Sequence, residues 1–285
     1  MARPPLLRLV RWPGTATAAA DAVTGSALFF CTPGLTASVV AAAALVYAGG
    51  VVLNDAADAS RDATLHPGRP IPSGAVSRGA AIRFGAGLLA AGVGAAALAG
   101  TASLLCYAAV AALALGYDFL FKRWGLAGAL ALGLCRGGSV LGAMMSSPGF
   151  PLEQPGRHLL VPLLFLLHGF AVTAASLLEE SPRARSLVPA AAAGILLPTA
   201  LCFGWAGNPG GAGLGLAMAA AAWLTFALGR SLAADRTAGG IVREGVFGFL
   251  LLDATVLGVH GLPWPSAGAL ALWAALRLAL RSRRS

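Results

Sequence analysis

The stretch Val51-Val52-Leu53-Asn54-Asp55-Ala56-Ala57-Asp58-Ala59-Ser60-Arg61-Asp62 decides how this chain folds. Its first residues close an apolar run that begins at position 35, long enough to cross a bilayer as a helix. Its remainder sets one asparagine and three aspartates within nine residues. Carboxylates are expensive in hydrocarbon, so they belong at the end of a span, where water or a cation can meet them. The stretch therefore reads as a membrane helix running out into a polar, chemically loaded end.

The whole chain supports that reading. Of its 285 residues 58% are hydrophobic and 11% charged, and its mean hydropathy is +0.78. Soluble domains carry about 25% charge, so too few charged side chains exist here to coat a soluble fold of this size. Disorder is excluded by the same apolar excess. The predicted fold is all-α: a polytopic membrane bundle of nine or ten helices in a single domain over 1–285. The predicted spans are 15–31, 35–53, 77–99, 101–120, 125–146, 158–178, 186–206, 211–233 and 241–261. A shorter run, 266–280, either crosses with tilt or lies in the interface. Pro/Gly breakers separate them at 33–34, 148–149, 208–211 and 263–265. The 38 glycines allow close helix contact. The basic N-terminus followed by an apolar stretch reads as a retained first span and not as a cleaved leader. The four cysteines show no CxxC spacing and read as buried thiols.

Orientation follows from basic residues, which favour the inside. With the N-terminus inside, eighteen of the twenty fall on that side, Arg157 falls outside and Arg136 lies within a span. The polar end of the second span then faces the cytoplasm, and the net charge of +9 needs no nucleic-acid partner. The expected location is the plasma membrane.

Asp55, Asp58 and Asp62 are spaced by three and four, which on a continuous helix puts them on one face. The arrangement is either a solvated helix end or a cation site. Oxygen donors without His or Cys suit Mg²⁺. The following His66-Pro67-Gly68-Arg69-Pro70-Ile71-Pro72-Ser73-Gly74 cannot continue a helix. It is either a plain inside loop or a mount for Arg69 opposite the carboxylates, where a diphosphate between metal and guanidinium would satisfy both.

At these residues the chain resembles the UbiA superfamily of intramembrane prenyltransferases. Residues 54–62 match its NDxxDxxxD signature, residues 69–74 its RPIPSG-type loop, and Tyr117-Asp118-Phe119-Leu120-Phe121-Lys122 its YDxxxK element. Arg136 in Cys135-Arg136-Gly137-Gly138 is similar to an arginine of the following span. The resemblance implies that Asp55, Asp58 and Asp62, with Asn54, hold Mg²⁺ on a prenyl diphosphate. It implies that Arg69, Tyr117, Lys122 and Arg136 contact that diphosphate, with Asp118 beside them. Where the family carries a second aspartate motif, this chain reads Thr173-Ala-Ala-Ser176-Leu-Leu-Glu179-Glu180. That is similar to the EboC-like branch. Adjacent glutamates point about 100° apart on a helix, so they cannot both face one metal; Glu179 and Glu180 are both candidates for the substrate, and Glu180 for a single metal ligand.

The implied reaction is ionisation of an allylic diphosphate, with the leaving group stabilised by Mg²⁺ and basic side chains. Capture by a lipophilic acceptor, expected to be aromatic, makes the protein a prenyltransferase. Capture by the tail's own double bond makes it a terpene cyclase. A non-catalytic scaffold or a transporter is the reading from another class, and acids gathered at one face argue against transport. Asp21 and Asp253, both within predicted spans, are candidates for orienting an acceptor or for pairing with Arg136. Tyr107, Phe119, Phe121, Trp124, Phe165 and Phe170 are the aromatic candidates for a prenyl channel.

Overall fold

The computed structural model of the chain describes residues 4–150, 158–179, 186–205, 210–234 and 238–281. Among them there is no strand, and twelve α-helices follow one another. A short α1 (Pro5–Leu9) precedes α2 (Trp12–Ala27), α3 (Pro33–Ala57), α4 (Ala59–Leu65), α5 (Arg78–Ala97) and α6 (Thr101–Gly116). Then come α7 (Leu126–Met144), α8 (Leu160–Leu177), α9 (Val188–Trp205), α10 (Gly211–Ala234), α11 (Ala238–Val259) and α12 (Pro263–Arg281). Each of the ten sequence-predicted runs holds one long helix. The first is shifted: α2 stops at Ala27, and Phe30 takes a left-handed backbone (φ 50°) that turns the chain.

Local sequence explains the boundaries. Thr32 and Ser77 cap α3 and α5 by accepting hydrogen bonds from Leu35 N (3.5 Å) and Ala80 N (3.2 Å). Pro33 and Pro263 stand at helix starts, where their missing N–H costs nothing. Gly100 (φ 109°) makes the sharp turn between α5 and α6.

Among the described residues six helices are long and apolar enough to cross a membrane: Pro33–Ala57, Arg78–Ala97, Thr101–Trp124, Leu126–Met144, Leu160–Leu177 and Gly211–Ala233. The chain is thus an integral membrane helical bundle. The other four long helices are shorter or carry more charge. Helix α2 has sixteen residues, and α11 contains Arg243, Glu244 and Asp253. Helix α11 nonetheless sits deepest, packed against α2, α8, α9, α10 and α12. Every residue from Phe247 to Val259 is buried, as expected of a helix apolar all round.

Close approach is built on small residues. A Cβ on Gly49 would lie 2.9 Å from the Gly85 carbonyl, which brings α3 against α5. Gly133 and Gly137 do the same for α7 against α8, where a Cβ would lie 2.6 Å from the carbonyls of Leu166 and Pro162. Helices α2, α3, α6, α7, α8 and α11 surround a cavity of about 330 Å³.

Candidate active site

The cavity has mostly apolar walls, a polar end, and one buried arginine in its depth. Helix α3 lines it with Ala43, Val46, Tyr47, Gly50, Val51 and Asn54, a stripe at helical spacing. Asn54 thus stands where the stripe meets the polar end. Arg11, Tyr117 and Asp118 join it there.

The three signature aspartates do not lie on one straight helix. Backbone bonds run from Asp58 N to Asn54 O (2.9 Å) and from Asp62 N to Asp58 O (2.9 Å), so the helical path persists. The chain bends at Asp58 (φ −83°, ψ 1°), between α3 and α4. Each carboxylate has its own cation. Asp55 pairs with Arg11, and Asp58 pairs with Lys122. Asp62 accepts from Arg69 at 2.5 Å. Asn54 completes the group: its amide nitrogen donates to Asp58 (3.3 Å), and its amide oxygen accepts from Lys122 (2.9 Å). Three acids and three bases, drawn from five parts of the chain, alternate within one polar end. With each carboxylate turned to its base, no three His, Cys, Asp or Glu side chains converge on a common point among the described residues.

Local backbone places the bases. The 66–76 loop closes on itself through Arg69 N to His66 O (3.0 Å), Ser73 N to Arg69 O (3.0 Å) and Val76 N to Pro70 O (2.9 Å). It is a fixed mount for Arg69, as its Pro/Gly content predicts. Arg78 Nε ties the start of α5 to Ala56 O (3.0 Å). Beyond α6 the chain makes one π-helical turn, Tyr117–Phe121, before a 3-10 turn, Lys122–Trp124. The wider turn bonds Lys122 N to Tyr117 O and carries the Lys122 ammonium to 5.8 Å from the Tyr117 ring centre. Such turns recur at functional sites.

The donor set fits a hard cation. Asp55, Asp58 and Asp118 carry oxygen donors alone, and Asn54 adds its amide oxygen, with no His or Cys among them. One carboxyl oxygen of Asp118 is buried and accepts no hydrogen bond from the described residues. A buried acceptor without a donor is costly, and a bound cation would satisfy it.

Deeper in the cavity Arg136 is 8% exposed. Its guanidinium donates to Asp21 (2.5 Å) and Thr17 (2.5 Å), stacks on Phe249 (3.9 Å to the ring centre) and lies 5.1 Å from the centre of Tyr47. Asp253 accepts from Thr24 (2.6 Å). Arg136 is therefore paired to Asp21 and set apart from the signature carboxylates, with one face on the cavity.

At the second expected motif, Thr173 lines the cavity, while Glu179 lies against Gly239 at the start of α11. Glu180 lies outside the described residues. None of the six aromatic candidates lines the cavity: Tyr107 and Phe165 are fully buried core, and Phe119 and Trp124 are exposed. Tyr47 and Phe249 line it instead, as do Arg11 and Ser139. Tyr47 was accessible from sequence, because it lies seven residues before Asn54 on the same helical face.

The model of a family described as the UbiA prenyltransferase family matches residues 12–186. Digeranylgeranylglyceryl phosphate synthase of Metallosphaera sedula is 36% identical over 131 residues, covering 45% of this chain and 46% of that protein. The synthase of the same name from Methanopyrus kandleri is 43% identical over 91 residues, 32% of each chain. The chain thus matches less than half the length of these curated relatives. An apo structure of a UbiA homolog from Aeropyrum pernix K1 superposes with TM-score 0.67 at 21% identity, over 87% of this chain and 98% of that one. A structure from work on digeranylgeranylglyceryl phosphate synthase in membranes superposes with TM-score 0.63 at 19% identity, over 91% and 98%. At these identities the superpositions speak for the fold alone.

Proposed function

Because the chain belongs to the UbiA prenyltransferase family, we propose that it is an Mg²⁺-dependent intramembrane prenyltransferase, which ionises a prenyl diphosphate and transfers the prenyl group to a lipophilic acceptor. The observation that carries this reading is the pairing of Asp55, Asp58 and Asp62 with Arg11, Lys122 and Arg69 around Asn54 and Arg11, which line the polar end of an apolar cavity. A group bearing both metal and diphosphate is complementary to such a mixed set. Carboxylates take the cation, and ammonium and guanidinium groups take the anion.

Asn54, Asp55, Asp58 and Asp62 would hold Mg²⁺, with Asp118 supplying its unpartnered oxygen and Glu180 a further carboxylate. When bound, Mg²⁺ supplies Lewis-acid stabilisation of the charge on the leaving diphosphate. Lys122 and Arg69 bind and neutralise the same diphosphate, and Tyr117 borders it. The stripe from Ala43 to Val51, with Val110, Leu132 and Val246, packs the isoprenoid and keeps water from the allylic cation. Arg136, fixed by Asp21 and Thr17, would contact the acceptor or the diphosphate from the deep side, with Thr173 bordering, and Glu179 remains a candidate substrate ligand at the end of α8. The acceptor expected from sequence is aromatic. The name of the curated relatives favours a glyceryl phosphate lipid. We place the enzyme in the plasma membrane, with its N-terminus and the Asp55–Arg69 end in the cytoplasm.

The test is incubation of the purified protein with Mg²⁺ and prenyl diphosphates of several lengths, with and without aromatic and glyceryl phosphate acceptors. A prenylated acceptor with released diphosphate supports the transferase. A cyclised hydrocarbon or alcohol formed without acceptor replaces it with a cyclase. Absence of turnover and of diphosphate binding replaces both with a scaffold.

A further inference from the structure

We propose that Arg11 is a diphosphate-binding residue, which holds Asp55 and passes to the diphosphate when Asp55 takes up the divalent cation. The proposal rests on the prenyl-diphosphate reading of the same site. Arg11 lines the cavity beside Asn54, Tyr117 and Asp118. Its guanidinium donates to Asp55, a residue only 6% exposed. A topology-setting arginine needs neither a buried partner nor a place in the cavity.

The backbone is committed to this placement. Arg11 adopts the left-handed conformation (φ 46°, ψ 57°) as the residue before α2, which is unfavourable for any side chain beyond glycine and recurs at functional sites. Two contacts hold it there. Leu9, 1% exposed, packs among Val52, Ala56, Val76 and Ala81 at the end of α3 and the start of α5. Thr15 Oγ1 donates to Val10 O at 2.9 Å across the turn. The N-terminal segment is thereby pinned to the helix that carries Asn54 and Asp55. A guanidinium is suited to the task, because its fork accepts carboxylate and phosphate oxygens alike. Once Asp55 is engaged by the cation, the diphosphate is the anion left for Arg11 to meet.

The test compares Arg11→Gly, Arg11→Gln and the exposed Arg83→Gln in the full chain, in detergent, by calorimetry. Glycine relieves the left-handed turn, so Arg11→Gly removes the cation without straining the fold. The probes are Mg²⁺ alone and inorganic diphosphate in saturating Mg²⁺. Both Arg11 variants are expected to bind diphosphate about tenfold or more weakly, the loss of one charge-assisted contact. They are also expected to bind Mg²⁺ alone more tightly, because Asp55 has lost its competitor. Arg83→Gln is expected to match the wild type in both. Diphosphate affinity within twofold of wild type in Arg11→Gly overturns the proposal, and so does a parallel loss of both affinities. If Asp58→Asn loses diphosphate binding while Arg11→Gly keeps it, only the role of Arg11 falls. A wild type that binds no diphosphate overturns the prenyltransferase reading together with this one.

Discussion

At the scale of single residues, each of the three signature carboxylates answers to its own base. Lys122 bridges Asn54 and Asp58, and removing it takes a cation from the site of leaving-group charge. Lys122→Ala is expected to lower turnover by about 10²–10³-fold, the usual cost of losing one preorganised donor, as read in single-turnover kinetics. Arg136 makes a different prediction. Its partner Asp21 is wholly buried, so Asp21→Ala takes the bonded carboxylate away from a buried guanidinium. That costs about 3–5 kcal/mol and is measured as a lowered unfolding temperature in detergent. Asp253→Asn retains an acceptor for Thr24 and is expected to cost no more than about 1 kcal/mol in the same measurement. The signature residues were legible in the sequence because carboxylates are conspicuous in a chain with 11% charge. Of their partners, only Arg69 is near in sequence, seven residues from Asp62. Arg11 is 44 residues from Asp55 and Lys122 is 64 from Asp58, and only helix packing brings them together.

At the scale of elements, two departures from a regular helix shape the site. The bend at Asp58 turns the signature out of a straight line, and the π-helical turn at Tyr117–Phe121 carries Lys122 to the carboxylates. Deleting Leu120 would restore an ordinary α-helical register and rotate Lys122 by about 100°. Turnover is then expected to fall as far as in Lys122→Ala, while thermal stability changes little. Rescue of activity by the deletion, or no effect, would separate the π-turn from the site. Gly137 tests packing: a leucine there meets the Pro162 carbonyl, so Gly137→Leu is expected to cost about 1–3 kcal/mol or more of stability. Helix positions could be read from Pro, Gly and charge, which punctuate the apolar runs. A π-turn has no such marker, since Tyr117–Phe121 reads like any amphipathic turn. The cavity stripe on α3 lay open to reading at positions 43, 47, 50 and 54, and Tyr47 follows from it. Phe249 does not, because α11 is apolar on every side.

At the scale of the whole molecule, an apolar cavity opens onto a polar end built from α3, α4, the 66–76 loop and the segment after α6. The bundle class was legible from composition alone. Which helices are neighbours was not, since small-residue contacts such as Gly49 with Gly85 repeat along the chain. Ten helices with eighteen basic residues on one side predict that both termini are cytoplasmic. A green fluorescent protein fused after Ser285 is expected to fluoresce, and alkaline phosphatase fused there to be inactive. The reverse pattern would require an odd number of crossings.

We propose that the carboxylates at the end of α3 and on α4 run metal-assisted ionisation of a prenyl diphosphate. The most direct test is the rate of diphosphate release from a prenyl diphosphate, measured against Mg²⁺ concentration for the wild type, Asp55→Ala and Asp58→Ala. The account predicts saturable Mg²⁺ dependence in the wild type, abolished by chelator, and no measurable release in either folded variant. Release at the wild-type rate in Asp55→Ala or Asp58→Ala would contradict it.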